Sequence, residues 1–373
     1  MQIRAAVVDA PKKPFAVSDI ELGPPRPDEV LVRIIATGVC RTDIHIRDRE
    51  YPIPFPVIPG HEGVGVIEQT GTSVAGFTPG DQVIMSYPRC GRCANCHAAK
   101  YPYCNHGFDL SFGGGRLDGS TAYSRTTTGR EAVHGHIFQQ SSFATHTVVP
   151  ATSLVKVPND VPPEILAPLG CGIQTGVGAI FESLAVRPGT VVAILGTGGV
   201  GLSAVMAASL AGAEVIAVDP NAERRELATE LGATHALDPS AGTVSEQLRS
   251  LRPHGVDSVL ETTGSPQVLA DGIEALAMTG VLAMVGAAPA GTRVPLDMNV
   301  LMNGRTVRGV IQGDSTPQIM IPRIIDLIRG GKFPVHKLVK TYRFDEINDA
   351  VTDMENGATI KPVLLIGEAD AAK

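Results

Sequence analysis

The chain has 373 residues, more than a single hydrophobic core usually supports, so its length predicts two domains. The formal net charge is −7, no block of like charges occurs and tryptophan is absent, which argues against a nucleic acid or an anionic membrane as partner. The N-terminal sequence MQIRAAVVDAPKK lacks the apolar core of a signal peptide, and Glu214 interrupts the longest apolar stretch, Gly201–Val218. Together with clustered cysteines, these features predict a protein of the reducing cytoplasm.

The first half of the chain predicts a β-rich domain. Short segments rich in Val and Ile and bounded by Gly, Pro or Asp are typical of strands. Two turn sequences, RPDEV at Arg26–Val30 and FTPGDQVI at Phe77–Ile84, lead into such segments, because Pro and Gly set the turn geometry. The predicted strands include EVLVRIIATGVC, VGVIEQTG, DQVIMSY and FATHTVV.

The pattern changes near Leu169. From Thr190 onward strand patterns alternate with helical ones, as in TVVAILG, GVGLSAVMAASLAG, AEVIAVD and NAERRELATELG. This alternation is typical of βαβ units, and right-handed crossovers between them predict a doubly wound parallel sheet. After Gly313 the chain carries two helical stretches and the strand-like KPVLLIG, which form a tail too small to fold alone. We expect this tail to pack on the first domain.

A glycine motif marks a candidate dinucleotide site. The segment AILGTGGVG places Gly196, Gly198 and Gly201 in the spacing G-x-G-x-x-G, directly after a strand and at the start of a helix. Such glycines allow a tight turn, a close approach to a pyrophosphate and close helix packing. Asp219 ends the next strand and predicts NAD rather than NADP, a preference that the nearby Arg224 would weaken. The alternative is a glycine-rich turn of an unrelated α/β domain, with Asp219 as a helix cap.

Four of the six cysteines lie close together at the spacing C-x2-C-x2-C-x7-C. Four thiolates complete a tetrahedron around Zn²⁺ and leave no open position, which predicts a structural metal. An iron–sulfur cluster is the alternative, although no Pro follows the last cysteine, and a disulfide pair fits a cytoplasmic chain poorly. The four positions are Cys90, Cys93, Cys96 and Cys104.

The remaining cysteines, Cys40 and Cys171, lie far apart in the chain, and His61 lies between them in PGHEGVG. Two Cys and one His form the ligand set of a catalytic zinc whose fourth position is open to water or substrate. Taken singly, each residue has an ordinary explanation, since Cys is often a small core residue and a lone His is often a satisfied polar group. Because this assignment gives every cysteine a metal role, we predict two Zn²⁺ per chain, with the chemistry at the second.

In their order along the chain, these motifs resemble those of the zinc-dependent medium-chain alcohol dehydrogenases. The matching segments are GVCRTDIH, PGHEGVG, the four-cysteine lobe, LGCGIQTG, GTGGVG and GRTVRG, while FGGGRLDGSTAYS and HGHIFQQSSFATH resemble the aryl (benzyl) alcohol dehydrogenase branch. The resemblance implies an α/β plus β fold, with a GroES-like catalytic domain over residues 1–172, a Rossmann domain over 173–311 and a C-terminal return over 312–373. It also implies reversible, NAD-linked oxidation of a primary aromatic or allylic alcohol to its aldehyde, by hydride transfer from a zinc-bound alkoxide.

The resemblance further implies roles around the catalytic zinc. Glu62 would be a nearby carboxylate that ligates the metal transiently. Asp43 would orient His61 through the second nitrogen of its ring. Thr42 would accept the proton of the alcohol, and His45 would pass that proton to solvent through the cofactor ribose.

Cofactor contacts follow from the same resemblance. Arg41 and Lys361 would bind the pyrophosphate, and Thr175 would pack beside the nicotinamide. Family members often have Arg where this chain has Lys361, so the charge is kept while bidentate geometry is lost. The complete set of implied NAD-binding residues is Arg41, Thr175, Gly196, Gly198, Gly199, Val200, Gly201, Asp219, Arg224, Val285 and Lys361.

Large apolar side chains occupy positions where the family lines its substrate pocket, which suits a flat aromatic or allylic alcohol, although some of them would equally suit the core. These positions are Tyr51, Tyr87, Leu110, Ile137, Phe138 and Ile311. Three alternatives stay open: a secondary-alcohol or polyol dehydrogenase, a thiol-linked formaldehyde dehydrogenase, and a non-catalytic cofactor-binding protein. The resemblance also implies a homodimer through the edge strands of the Rossmann sheets, or a homotetramer of such dimers.

Overall fold

The computed structural model describes residues 1–125 and 131–367. It divides into two compact units, one formed by Met1–Cys171 together with the chain from Thr316 onward, the other by Gly172–Ser315. The second unit is therefore an insertion into the first. The boundaries expected from the sequence, after residues 172 and 311, lie close to these borders.

The strands are numbered in chain order. They are β1 Gln2–Val7, β2 Ala16–Leu22, β3 Glu29–Gly38, β4 Gly63–Thr70, β5 Gln82–Met85, β6 Tyr123–Arg125, β7 Glu131–Val133, β8 His146–Pro150, β9 Leu154–Lys156, β10 Val191–Leu195, β11 Glu214–Val218, β12 His235–Leu237, β13 Val256–Glu261, β14 Leu276–Met284, β15 Thr306–Gly309, β16 Val339–Arg343 and β17 Lys361–Leu365.

The α-helices are numbered in the same way. They are α1 Arg41–Arg47, α2 Ala94–His97, α3 Gly107–Phe112, α4 Pro163–Leu166, α5 Gly172–Gly178, α6 Gly199–Leu210, α7 Ala222–Glu230, α8 Val244–Leu251, α9 Pro266–Ala275, α10 Met298–Met302, α11 Pro317–Arg329 and α12 Ile347–Glu355. Within residues 1–125 and 131–367, no single helix is long and apolar enough to cross a membrane, whereas one bent pair, Pro163–Gly170 with Gly172–Ser183, reaches that length and composition.

The first unit is built around strand β3. This strand pairs antiparallel with β4, β8 and β17, in a sheet with the order β16-β17-β3-β4-β5-β9 and β8 attached to β3. A second sheet has the order β1-β2-β6-β7. Apolar side chains of β3, including Val30, Val32 and Ile34, are buried in the main core of this unit. Because β17 pairs with β3, the C-terminal tail supplies a strand next to the centre of this sheet.

The second unit is a six-stranded parallel sheet with the order β12-β11-β10-β13-β14-β15. Strands β10 and β11, with the sequences VVAIL and EVIAV, are largely buried, as expected when both faces of a parallel strand are covered. The strand order reverses at β10, whose neighbours are β11 and β13, and ligands bind such sheets outside the carboxyl ends of the strands at this point. The predicted fold class, a β-rich domain with an inserted doubly wound sheet, is confirmed.

Candidate active site and metal centres

One candidate metal centre lies entirely within the first unit. The ligand atoms of Cys40, His61, Glu62 and Cys171 all lie within 4.8 Å of one another. Cys40 follows β3 and His61 precedes β4, and the pairing of these two strands brings their ends together. Gly38 is required beside this cluster, since a Cβ there would lie 2.0 Å from Oε2 of Glu62. Strand pairing thus assembles ligands that are remote in sequence.

Asp43 holds two of these ligands in place. The side chain is fully buried, and its Oδ2 accepts a hydrogen bond from the backbone N–H of Cys40 at 3.0 Å. Its Oδ1 accepts from the backbone N–H of Gly60 at 3.0 Å and from Nδ1 of His61 at 2.9 Å. One carboxylate therefore caps helix α1 and fixes the tautomer of the imidazole, as in the carboxylate–histidine pairs of metal sites.

The other ring nitrogen of His61, Nε2, is buried and has no hydrogen-bond partner among the described residues. Leaving such an atom unsatisfied costs about 1–3 kcal/mol, which a metal ligated by this nitrogen would offset. Two thiols and an imidazole are donors that Zn²⁺ prefers. The cluster therefore fits the metal that the sequence predicts.

The electrostatics of the cluster couple metal binding to protons. Burial alone lowers the pKa of His61, but the Asp43 carboxylate outweighs it and holds that pKa well above its usual value. A hydrogen bond from the Cys171 thiol lowers the pKa of Cys40 well below the usual value, and the same contact raises the pKa of Cys171. Ligation of a cation by all three residues would therefore release protons, and its affinity would fall with falling pH.

Glu62 is neutralised by a lysine. Nζ of Lys361 donates to both carboxylate oxygens of Glu62, at 3.0 and 2.9 Å, and to the carbonyl of Val39 at 3.2 Å. Burial raises the pKa of Glu62, while the Glu62 carboxylate raises the pKa of Lys361 against the opposing effect of burial. The family resemblance implies that the ammonium group of Lys361 binds the pyrophosphate. In the structure this group is hydrogen-bonded to Glu62, and the pyrophosphate contact stays a prediction.

We expect Asp43→Asn to weaken metal binding at this cluster by about 10–100-fold, the usual effect of losing the partner of a ligating histidine. An Asn side chain accepts hydrogen bonds through its oxygen but not through its NH₂ group. At least one of the three groups that donate to Asp43 therefore loses its acceptor in the variant. The dissociation constant of Co²⁺ measures the effect. Asp48→Asn is the control, because Asp48 ends the same helix and pairs with Arg47 at 2.7 Å. Equal affinities for both variants would contradict the role of Asp43.

Helix α1 also carries the two predicted relay residues. Oγ1 of Thr42 lies 4.0 Å from Sγ of Cys40, and His45 follows one turn later on the same side of the helix. Nδ1 of His45 lies 2.7 Å from Oε2 of Glu50, and its ring meets Tyr51 edge-on with 6.5 Å between centroids. Glu50 was not predicted from the sequence. Glu50 reaches His45 because the chain turns back after α1, where the N–H of Glu50 donates to the carbonyl of His45 at 2.8 Å.

An aromatic wall leads away from the metal cluster. Phe138 stacks on the imidazole of His61, with centroids 4.6 Å apart and planes 23° apart. Phe112 meets Phe138 edge-on at 5.4 Å and stacks on Tyr51 at 4.0 Å, and Phe108 lies 5.3 Å from Phe112. We call Tyr51, Phe108, Phe112 and Phe138 the aromatic wall. Phe138, beside the imidazole, is 9% exposed and belongs to the main core of the first unit, whereas Phe108 at the other end of the wall is 56% exposed.

Leu110 lies on the side of α3 that faces the four-cysteine lobe, and its predicted role in the substrate pocket stays a prediction. Positions 108 and 112 lie one turn apart on one face of α3, whereas position 110 points to the opposite side. There Leu110 packs against Cys96 and Cys104. Phe108 and Phe112 were not predicted from the sequence, although their i, i+4 spacing in GFDLSF is the signal that finds them.

The other pocket candidates divide between core and surface. Tyr87 and Ile137 are buried in the main core of the first unit, with 4% and 0% of their surface exposed. Ile311 belongs to the second unit and is 53% exposed. Of the six predicted positions, the aromatic wall contains Tyr51 and Phe138.

The four-cysteine lobe forms a second candidate metal centre. Its four sulfur atoms lie within 4.8 Å of one another, and both the Cys90–Cys96 and the Cys93–Cys104 pairs are 4.0 Å apart. This is twice a disulfide length of about 2.05 Å and near the roughly 3.8 Å expected around tetrahedral Zn²⁺. The N–H of Asn105, 3.4 Å from Sγ of Cys93, lowers the pKa of Cys93 to about 6. Burial raises the pKa of Cys96 and Cys104. Binding of a metal ion by all four sulfur atoms as thiolates would therefore release protons.

The glycine motif in the second unit has the geometry of a phosphate cradle. Gly196 has a φ of +91°, which favours glycine. A Cβ at Gly201 would lie 1.9 Å from the carbonyl oxygen of Gly196, so that position cannot carry a side chain. A Cβ at Gly198 would meet nothing within 4 Å, which leaves open space above the backbone. Gly199 and Val200 begin α6, so their N–H groups face this space.

Asp219 ties the next strand to this cradle. The carboxylate accepts from the N–H of Thr197 at 2.8 Å and from the N–H of Asn221 at 2.9 Å. Asn221 is the N-cap of α7 and accepts from the N–H of Arg224 at 3.1 Å, so the alternative of Asp219 as the helix cap is wrong. Nε of Arg224 is buried, and no atom of residues 1–125 or 131–367 forms a hydrogen bond with it. Each Asp219 oxygen keeps a second lone pair that can accept from a ribose hydroxyl, and this contact stays a prediction.

The remaining predicted cofactor residues lie on different elements. Val285 follows β14, where its N–H bonds the carbonyl of Glu261 at 2.8 Å at the carboxyl edge of the sheet. Thr175 is buried on α5, with its hydroxyl 3.4 Å from Oε1 of Gln312. Arg41 is exposed at the start of α1 in the first unit. Their contacts with a cofactor stay predictions.

Two family models match the chain, the Alcohol dehydrogenase GroES-like domain over residues 26–159 and the Zinc-binding dehydrogenase over residues 199–329. Geraniol dehydrogenase of Castellaniella defragrans is 43% identical over 366 residues, 97% of each chain. The crystal structure of benzyl alcohol dehydrogenase from Acinetobacter calcoaceticus is similar with a TM-score of 0.94 and 42% identity, over 98% of this chain and 100% of that one. NDMA-dependent alcohol dehydrogenase of Amycolatopsis methanolica is 35% identical over 375 residues, 98% of this chain and 99% of its own.

Fold, donor sets and comparisons agree on one class of protein, an enzyme that oxidises or forms alcohols with the help of zinc. The chain belongs to the zinc-dependent medium-chain alcohol dehydrogenases.

Proposed function

We propose that this enzyme oxidises a primary aromatic or allylic alcohol to its aldehyde, reversibly, with NAD as the hydride acceptor. The observation that carries the proposal is the aromatic wall, which begins on the ring of His61 and continues through Phe138 and Phe112 to Tyr51. Flat π-systems favour stacked or edge-on contacts with such a surface. The names of two relatives, geraniol dehydrogenase and benzyl alcohol dehydrogenase, support the same substrate class.

The proposed chemistry assigns a task to each residue of the first site. Cys40, His61 and Cys171 hold the catalytic Zn²⁺, and the four-cysteine lobe holds a second ion, giving two per chain. When bound, the catalytic ion supplies a Lewis acid that lowers the pKa of an alcohol toward neutrality. Thr42 accepts the alcohol proton, and His45 carries it outward, one turn along α1.

Substrate orientation is the task of the aromatic wall in this proposal. Phe138 contacts the imidazole of His61, so a substrate ring lying on the wall would keep its carbinol group near the metal ligands. Reaction requires a near-attack distance of roughly 3–3.5 Å between the reacting carbons. Fixing the ring on a rigid surface supplies much of that alignment before the reaction begins.

NAD rather than NADP is the proposed cofactor. The open backbone at Gly198 suits a pyrophosphate, and the carboxylate of Asp219 would repel a 2′-phosphate. Arg224 on the neighbouring helix would weaken this preference, because its guanidinium attracts the same phosphate. One relative is named as NDMA-dependent, so NDMA belongs in the assay as an added acceptor.

The aromatic wall disfavours the alternatives. A polyol or a thiol-linked formaldehyde adduct carries hydroxyls or carboxylates that need buried polar or cationic partners. The wall offers Phe108, Phe112 and Phe138 instead. A non-catalytic protein has no need to keep Thr42 and His45 beside an intact ligand set.

The test is reduction of NAD⁺ with benzyl alcohol, cinnamyl alcohol, geraniol, ethanol, a secondary alcohol and sorbitol, with NADP⁺ and added NDMA as parallel assays. We expect kcat/KM for the first three to exceed that for ethanol by about 10–100-fold, the worth of burying a hydrophobic group of that size. Phe112→Leu should reduce this ratio, and Leu110→Met, on the opposite face of α3, should leave it unchanged. A preference for ethanol or sorbitol would overturn the substrate class while leaving the zinc enzyme in place.

For assembly and location we propose a cytoplasmic homodimer, or a tetramer of such dimers. Strand β15 ends the order of the parallel sheet in the described chain, and an open edge invites pairing with a second copy. Met278, Met298 and Met302 of the same unit are 71%, 76% and 80% exposed, which suggests an apolar surface to be covered. Within the described residues no disulfide joins any of the six cysteines, in keeping with a reducing compartment. A solution mass of one chain by light scattering would contradict the dimer.

A further inference from the structure

One stretch of the chain runs alongside the stretch that carries His61 and Glu62 and is hydrogen-bonded to it over most of its length. We call Ile137–Phe143 the clamp segment and Ile58–Gly63, which carries His61 and Glu62, the ligand segment. Five hydrogen bonds join the two: Ser141 Oγ to the Ile58 carbonyl at 2.6 Å, Phe143 N–H to the Pro59 carbonyl at 3.2 Å, Ser142 N–H to the Gly60 carbonyl at 3.0 Å, Gln140 Nε2 to the His61 carbonyl at 3.0 Å, and Gly63 N–H to Gln140 Oε1 at 3.1 Å.

The two segments are in very close contact. A Cβ at Gly60 would lie 2.4 Å from the backbone nitrogen of Phe143, and one at Gly63 would lie 2.7 Å from Cβ of Ser142. Both positions therefore require glycine. The backbone on either side of His61 and Glu62 has no room to shift without moving the clamp segment.

Gln140 makes the contact that encloses the ligands. Its side-chain amide donates to the residue that carries the imidazole and accepts from Gly63, so the two bonds bracket His61 and Glu62. The side chain is fully buried. The backbone carbonyl of Gln140 accepts from the hydroxyls of Tyr123 and Thr147, and these bonds hold the backbone from which the side chain extends. The amide of Gln both donates and accepts, whereas a leucine does neither and a glutamate carboxylate only accepts.

The clamp segment adopts a conformation that its residues disfavour. Phe138, Gln139 and Ser141 have φ values of +50°, +56° and +46°, and His136 just before them has +56°. Non-glycine residues rarely occupy this region, and they do so where the surrounding structure imposes it, often at functional sites. Here the strained turn stacks Phe138 on the His61 ring while Gln140 binds the His61 backbone. One segment thus fixes both a metal ligand and the start of the aromatic wall.

We propose that Gln140 is a positioning residue for the catalytic metal. Asp43 orients the His61 ring through Nδ1, and Gln140 fixes the backbone from which that ring projects. The affinity of the Cys40–His61–Cys171 site depends on both contacts, because a ligand held in place before binding loses less entropy when the ion arrives. The inference rests on the proposed function in that it takes this cluster as the catalytic metal site.

The chain supplies a matched control in Gln139. This residue is 3% exposed and adjacent in sequence, and its Nε2 donates to the carbonyls of Leu110 at 3.0 Å and Gly115 at 3.1 Å. Gln139→Leu and Gln140→Leu therefore each remove a buried amide that bonds backbone groups. The second substitution alone removes contacts with the ligand segment.

The experiment measures Co²⁺ binding to the full-length apo-protein by absorption, where a site with two thiolates absorbs less intensely than one with four. Gln140→Leu should weaken binding at the two-thiolate site by about 10–100-fold and leave the four-thiolate site unchanged. Gln139→Leu should change neither affinity by more than about 3-fold, although both variants should unfold at a lower temperature. Unchanged affinity in Gln140→Leu, or an equal loss in Gln139→Leu, would overturn the proposal.

A second pair of variants covers the case in which the leucine variant does not fold. Gln140→Glu keeps an acceptor for Gly63 but sets a carboxylate against the His61 carbonyl, so it should also weaken Co²⁺ binding, whereas Gln139→Glu should not. Wild-type protein that binds a single ion, at the four-thiolate site, would overturn the catalytic site and this inference together. Two ions in the wild type with unchanged affinity in Gln140→Leu, or in Gln140→Glu where the leucine variant does not fold, would overturn the inference alone.

Discussion

Cys40→Ser is expected to lower kcat/KM for alcohol oxidation by about 10³-fold or more. A serine hydroxyl is a poor replacement for a thiolate ligand, so the variant should contain one zinc fewer per chain. Lewis-acid assistance by a metal is worth several kcal/mol, and each ~1.4 kcal/mol corresponds to a tenfold change in rate. The measurements are the rate of NADH formation and the zinc content of the purified protein. Near-wild-type turnover in this variant would refute the assignment of Cys40 as a metal ligand.

The fold should survive this substitution, because the thiol of Cys40 does not hold the local structure together. Asp43 accepts from the backbone N–H of Cys40, and this bond persists when the side chain changes. The contacts of Asp43 with Gly60 and His61 also stay in place. Thermal unfolding close to that of the wild type is the corresponding control.

The parts of the molecule that sequence predicts well are local. The glycine motif, the strand before it and the helix after it are one continuous stretch, and the requirement for glycine at Gly196 and Gly201 follows from turn and packing geometry within that stretch. Cys40, His61 and Cys171 were grouped by donor chemistry rather than by position. Strand pairing then explains how Cys40 and His61 meet, since the end of β3 lies beside the start of the antiparallel strand β4.

The contacts that sequence missed depend on register or on strained backbone. Lys361 reaches Glu62 because β17 pairs with the end of β3, with Val363 opposite Gly38. Nothing in either strand's composition specifies that register. The clamp segment depends on left-handed backbone at residues such as Phe138 and Gln139, which have no sequence signature for it. Leu110 was predicted from the family resemblance, which did not indicate that its side chain packs against Cys96 and Cys104.

Cys93→Ser tests the other metal centre and should act mainly on stability. The small core of the lobe consists of Cys96, Cys104 and Leu110, with Cys90, Cys93 and Tyr101 packed around it, so the ion supplies cohesion that apolar burial does not. We expect the variant to unfold roughly 5–15 °C below the wild type and to lose one zinc per chain. Calorimetry and zinc analysis measure both effects.

The same substitution should alter substrate preference, because helix α3 connects the lobe to the aromatic wall. Leu110 anchors α3 on the cysteines, and Phe108 and Phe112 project from the opposite face toward Tyr51. Loosening the lobe should therefore reduce kcat/KM for benzyl alcohol more than for ethanol, at a temperature where the variant is still folded. Cys40→Ser provides the comparison. This variant should reduce kcat/KM for benzyl alcohol and for ethanol to a similarly low value without destabilising the lobe. Abolished activity in Cys93→Ser with unchanged thermal stability would mean that the structural and catalytic assignments of the two clusters are reversed.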